Sequence, residues 1–163
     1  MTEPQPKPGR EPNKGPYDHI RSRYSPTAFQ AMEQAGALAR SYKAAAKWLS
    51  LMEQVEASKV EVEVSQSALE AYPRDIGEEA PEHLHAMHAG SLHRAVAADL
   101  EMLTAKEKED DHERAMRVAL ESKIDEAKSG FGHPLSHLEM YSLIRDSMDI
   151  AGLPNPRLEK FLR

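Results

Sequence analysis

The chain has 163 residues, the length of a single domain, and no cysteine, which excludes disulfides, thiolate nucleophiles and thiolate metal sites. Hydrophobic residues make up 40% but aromatics only 6%; many of the apolar side chains are alanine, which favours slender helices whose core is completed by self-association. The net charge of −6 hides an asymmetry: residues 1–48 carry Lys7, Arg10, Lys14, Arg21, Arg23, Arg40, Lys43 and Lys47 against four acids, whereas 61–83 carry seven acids and only Arg74. A basic end can approach phosphate, while an acidic middle stays solvated or meets a basic partner.

The first residues contain no apolar secretion core, and no run approaches 18 apolar residues, so a cytoplasmic protein with no membrane partner is expected. Residues 1–24 hold Pro4, Pro6, Pro8, Pro12 and Pro16 with Gly9 and Gly15. They read as an extended, disordered arm bearing Arg10, Lys14, Arg21 and Arg23, suited to phosphate neutralisation without sequence readout.

Ser25-Pro26 is a helix start, with Ser25 as N-cap and Pro26 at the first helical position. Apolar residues then recur at three- and four-residue steps from Phe29 through Met32, Gly36, Ala39, Tyr42, Ala45, Leu49 and Met52 to about Ala57, which predicts one long helix. A turn near Ala35-Gly36 would instead make a helix-turn-helix with Arg40, Lys43 and Lys47 on or near its second helix; the high local alanine content favours the unbroken helix. Trp48 lies beside the seam as a partly buried anchor. Lys59 to Ser65, KVEVEVS, has strand periodicity between helix-prone flanks. It is either a lone strand at 60–64 paired between subunits or a helix whose pattern imitates one.

Residues 71–81, with Pro73, Gly77 and Pro81, mark a reversal. From Glu82 the helical pattern returns through Leu84, Met87, Leu92, Val96, Leu100 and Leu103, crosses the charged run Lys106 to Arg114, and resumes with Met116, Leu120, Ile124 and Ala127. The charged run has no Pro or Gly, so one solvated helix to Ser129 is expected, its stripe antiparallel to that of 26–57. The fold class is thus all-α. Residues 25–129 form a long-helix, coiled-coil-like hairpin, and 130–163 a shorter third helix followed by a tail.

Gly130-Phe131-Gly132 breaks the chain, His133-Pro134 opens the third helix, and Leu135, Leu138, Tyr141, Ile144, Met148 and Ala151 form its apolar stripe. Gly152 ends it, and Leu153, Pro154 and Pro156 follow. This order of features, His133-Pro134 and then Gly152-Leu153-Pro154-Asn155-Pro156-Arg157, resembles the C-terminal end of one family of phage terminase small subunits, with a slightly shorter spacer and last motif. The match covers about a fifth of the chain. The resemblance implies a non-enzymatic homo-oligomer, such as a ring, in the host cell cytoplasm. Such a protein binds viral double-stranded DNA for packaging and presents it to a terminase large subunit that carries the ATPase and nuclease chemistry. Candidate DNA-binding residues are Arg10, Lys14, Arg21, Arg23, Arg40, Lys43 and Lys47; the tail offers Leu153, Arg157, Leu158 and Phe161 for docking on a partner.

Two other classes compete. A helical adaptor, antitoxin-like or an assembly chaperone, would use the acidic 61–83 region and leave DNA alone. A ferritin-like metal protein would use Glu82 with His85 and Glu109 with His112, each a carboxylate and an imidazole three apart on a helix. Those pairs lie far apart along one helix, so neither metal nor any other cofactor is expected. No phosphate loop, dinucleotide turn, nucleophile elbow or HExxH is present, and adjacent Ser136 and His137 point apart on a helix, so an enzyme is not expected.

Overall fold

The computed structural model describes residues 17–72 and 80–153, and every regular element among them is helical. In chain order these are α1 (Asp18–Arg21), α2 (Pro26–Ser41), α3 (Ala45–Ala71), α4 (Glu82–Glu107), α5 (Asp111–Ser129) and α6 (His137–Ala151). The expected all-α fold is correct. Several breaks and one pairing differ from the sequence reading, each for a local reason.

α2 begins as its sequence dictates: Ser25 Oγ accepts from the Ala28 N–H at 3.1 Å, with Pro26 in the first turn. It does not run on to Ala57, nor does it turn at Ala35-Gly36. Tyr42 adopts an extended backbone (φ −115°, ψ 111°), and a three-residue turn, Tyr42 to Ala44, separates α2 from α3. Gly36 stays helical inside α2, where an added Cβ would sit 3.4 Å from Ala151 and Ile150 of α6. A methyl there would meet α6 at close to ordinary van der Waals distance.

The segment Lys59 to Ser65 is helix, not strand. Its valines are distributed round a helix that has neighbours on two sides, since α3 packs against α4 and also against α6. Glu61 to Arg94 and Ser65 to His88 fix the α3–α4 hairpin as antiparallel. Its seam is small and polar: Ser58, Ser65 and Ser91 are buried, and each hydroxyl bonds back to a carbonyl of its own helix. The stripe read as core, Met87, Leu92, Val96, Leu100 and Leu103, is instead exposed. Serine and alanine allow a closer approach than leucine, so the small face of α4 takes the contact.

The core lies elsewhere, where α2, α5 and α6 meet the first half of α3. Met32, Trp48, Leu49, Leu120, Ile124, Leu143 and Ile144 are at most 2% exposed, each large aliphatic contributing about 1.5–3 kcal/mol. The expected single helix from 82 to 129 is broken at Lys108 to Asp110, where Asp110 Oδ1 accepts from the Glu113 N–H at 2.8 Å and starts α5. α6 starts at His137 and not at Pro134, because Ser136 and Glu139 form a reciprocal capping box. Gly152 closes α6 in the left-handed conformation (φ 72°), and the Leu153 N–H returns to Met148 O at 3.0 Å, as read.

The reading of residues 17–24 as part of a disordered arm is incorrect. Tyr17 to Tyr24 pack on the bundle, with Ile20 fully buried. Arg10, Lys14, Arg157, Leu158 and Phe161, and most of the 71–81 connection, lie outside the described residues.

Candidate nucleic-acid interface

The described basic candidates fall into two groups at opposite ends of α2. Its 16 residues span about 24 Å at 1.5 Å per residue. Arg21 and Arg23 stand at its start; Arg40, Lys43 and Lys47 stand at its end, around the turn into α3. The structure therefore does not bring all five together.

At the first end each arginine already has a partner. The Arg21 guanidinium lies over the Phe29 ring at 4.9 Å, and Arg23 Nη2 donates to Asp146 Oδ1 at 3.0 Å. Tyr24 Oη donates to the other Asp146 oxygen at 2.5 Å. Burial, then that bond to a carboxylate, pushes the Tyr24 phenol well above its ordinary range. Burial and the neighbouring Asp146 charge raise the Asp149 carboxyl as well. Arg145 borders the same small polar groove as Arg23, an addition that the sequence pattern of α6 did not flag.

At the second end Lys43 is exposed in the α2–α3 turn and Lys47 in the first turn of α3. Arg40 Nη1 points at Ile150 O, 3.5 Å away at the carboxyl end of α6, where a cation is favoured by the unpaired helix carbonyls. What holds this corner is a polar cluster that sequence reading did not assemble. The Trp48 Nε1–H donates to Tyr42 Oη at 2.8 Å, and Tyr42 Oη donates to Glu113 O at 3.3 Å. The Arg117 guanidinium and the Lys47 ammonium lie 5.5 and 5.6 Å from the Trp48 ring centre, within cation–π range. Arg117 donates through Nε and Nη2 to Glu109, at 2.9 and 2.6 Å, and through Nη1 to Glu121 at 3.0 Å. The hydrogen bonds from Arg117 hold the Glu109 carboxyl below its ordinary range despite burial, and the same contacts raise Arg117. Burial raises the Tyr42 hydroxyl. Trp48, 2% exposed, is a buried anchor that fixes Lys47 and the turn, and its ring is not an open stacking platform.

The paired Glu-x-x-His candidates do not converge. Glu82 and His85 are exposed at the start of α4, Glu109 is buried against Arg117 in the α4–α5 turn, and His112 is exposed in the first turn of α5. Among the described residues no group of three or more His, Asp or Glu is placed to hold a metal ion. No helix among them is long and apolar enough to cross a membrane. Leu153, the described member of the docking tail, packs partly buried against the core. No family model, no curated protein and no solved structure matches this chain.

Proposed function

We propose that this chain is a DNA-packaging component of the terminase small-subunit kind, which binds duplex DNA and carries no reaction chemistry of its own. Under this reading a separate large subunit supplies ATPase and nuclease activity. The observation that carries the DNA contact is the exposed pair Lys43 and Lys47 in and just after the α2–α3 turn, a turn tied to the bundle through Tyr42 and Trp48. Cations on a rigid turn meet phosphate oxygens with less ordering cost than cations on a free tail. The resemblance of the His133 to Arg157 segment supports the packaging assignment. Duplex binding tests it: the intact chain binds, Lys43→Ala with Lys47→Ala weakens binding, and Arg21→Ala has a smaller effect. Failure of the intact chain to bind a duplex would remove the proposal.

A second reading, the helical adaptor, draws on Glu61, Glu63 and Glu70, exposed along the second half of α3. It is favoured if charge reversal at Glu63 and Glu70 abolishes capture of a basic protein partner while DNA binding is absent throughout.

A further inference from the structure

An apolar furrow runs along α3 between α6 and α4. Ala57, Val60 and Val64 lie in line at helical spacing, with Leu138 and Tyr141 of α6 on one side and Met87 of α4 on the other. Val64 is 61% exposed, Leu138 57% and Met87 43%, an open apolar row of the kind that marks a docking site. Glu61, which lines the furrow, accepts from Arg94 Nε at 3.0 Å, so its charge is already met. The furrow therefore selects by apolar contact and reach, not by charge.

We propose that the furrow is covered by residues 157–163 of the same chain, folded back from the end of α6. Three stretches lie outside the described residues: 1–16, 73–79 and 154–163. The first has no aromatic or branched aliphatic residue and the second only Ile76, whereas the third carries Leu158, Phe161 and Leu162 at positions i, i+3 and i+4. The distance is within reach. Tyr141 and Leu138 precede Ala151 in α6 by about 15 and 20 Å along the axis at 1.5 Å per residue. Gly152 turns the chain out of α6. Leu158 and Phe161 follow Leu153 closely enough in sequence to travel up to about 17 and 26 Å in extended form, which Pro154 and Pro156 favour. Tethering then decides the occupant: a short linker holds the tail beside the furrow at an effective concentration of about millimolar, above that of free competitors in the micromolar range. The contact acts as a latch, because any partner that uses Leu158 and Phe161 must first draw them out of the furrow. The inference does not depend on DNA binding, which its test does not read.

The chain has no cysteine, so a disulfide can report the contact without background. In the full chain, Val60→Cys is combined with Phe161→Cys. The control combines Ala37→Cys with Phe161→Cys; Ala37 is exposed and adjoins Gly36, which faces Ala151 at the end of α6, so proximity alone favours the control. Circular dichroism verifies that each variant stays helical. Under mild oxidation of an equal mixture of isotope-labelled and unlabelled chains, peptide mass mapping should show the Val60→Cys pair bridged within single chains, at least about tenfold faster than the control, because docking holds the two sulfurs within bonding distance. Adding Leu158→Ser should bring that rate down to the control's. Equal rates for the two pairs overturn the proposal, as does a furrow bridge indifferent to Leu158→Ser. A bridge joining labelled to unlabelled chains overturns it too, since the furrow then holds the tail of a neighbouring copy.

Discussion

The Trp48 indole donates to Tyr42 Oη at 2.8 Å, and that hydroxyl reaches on to the Glu113 carbonyl at 3.3 Å, so one phenol joins the α2–α3 turn to the first turn of α5. Tyr42 is the residue whose extended backbone ends α2, which makes the helix break and the anchor for Lys43 and Lys47 a single feature.

Tyr42→Phe keeps the ring and leaves the buried indole N–H without its acceptor. The expected cost is about 1–3 kcal/mol, measured by urea unfolding. Trp48 is the only tryptophan, so its fluorescence follows this corner directly.

Removing Arg117 leaves the Glu109 side chain, 1% exposed, without its main partner. Arg117→Met should cost about 3–5 kcal/mol. The pH dependence has a definite sign. The folded carboxyl of Glu109 is held below its unfolded value chiefly by hydrogen bonds from Arg117. Its stabilisation is complete above the ordinary carboxylate range and is lost as pH falls through the lowered folded value. Unfolding free energies measured across the acid range should therefore fall less steeply in Glu109→Gln than in the wild type.

Two glycines separate close approach from mere proximity. A Cβ at Gly130 would lie 2.9 Å from Ala28 Cβ and 3.0 Å from its backbone nitrogen, so Gly130→Ala must push α2 and α5 apart, at about 1–3 kcal/mol. At Gly36 the corresponding contacts are 3.4 Å, and a helix-propensity gain of up to about 1 kcal/mol offsets the tighter packing on α6. Thermal melts should show a clear loss for Gly130→Ala and little change for Gly36→Ala.

The start of α2 and the end of α6 were legible in the sequence, whereas the capping box at Ser136 and Glu139 and two of the breaks were not. Ser25-Pro26 and Gly152 act through groups within a residue or two of the boundary, so their chemistry can be read directly. The break at Tyr42 was hidden because Ala39, Tyr42, Ala45 and Leu49 keep helical spacing across it; all four face the core from either side of the turn. The break before α5 did carry a signal, Asp110 three residues ahead of Glu113, but it sat inside a run of charges that also suits intrahelical pairing. α4 misled for a different reason. Its leucines and valines mark an exposed ridge, and its serines and alanines make the seam, which periodicity alone cannot distinguish. Of the basic candidates, Lys43 and Lys47 were legible as charge, whereas the tie of the adjoining Tyr42 and Trp48 to Glu113 and Arg117 depends on contacts across about 70 residues.

The salt dependence of duplex binding tests the central claim most directly. Each phosphate neutralised adds about −0.9 to the slope of log affinity against log salt. The account predicts a linear fall for the intact chain and a slope flattened by about 1.8 when Lys43→Ala and Lys47→Ala are combined, with helicity unchanged. An intact chain that shows no salt-dependent binding, or a double variant with the wild-type slope and affinity, would contradict it.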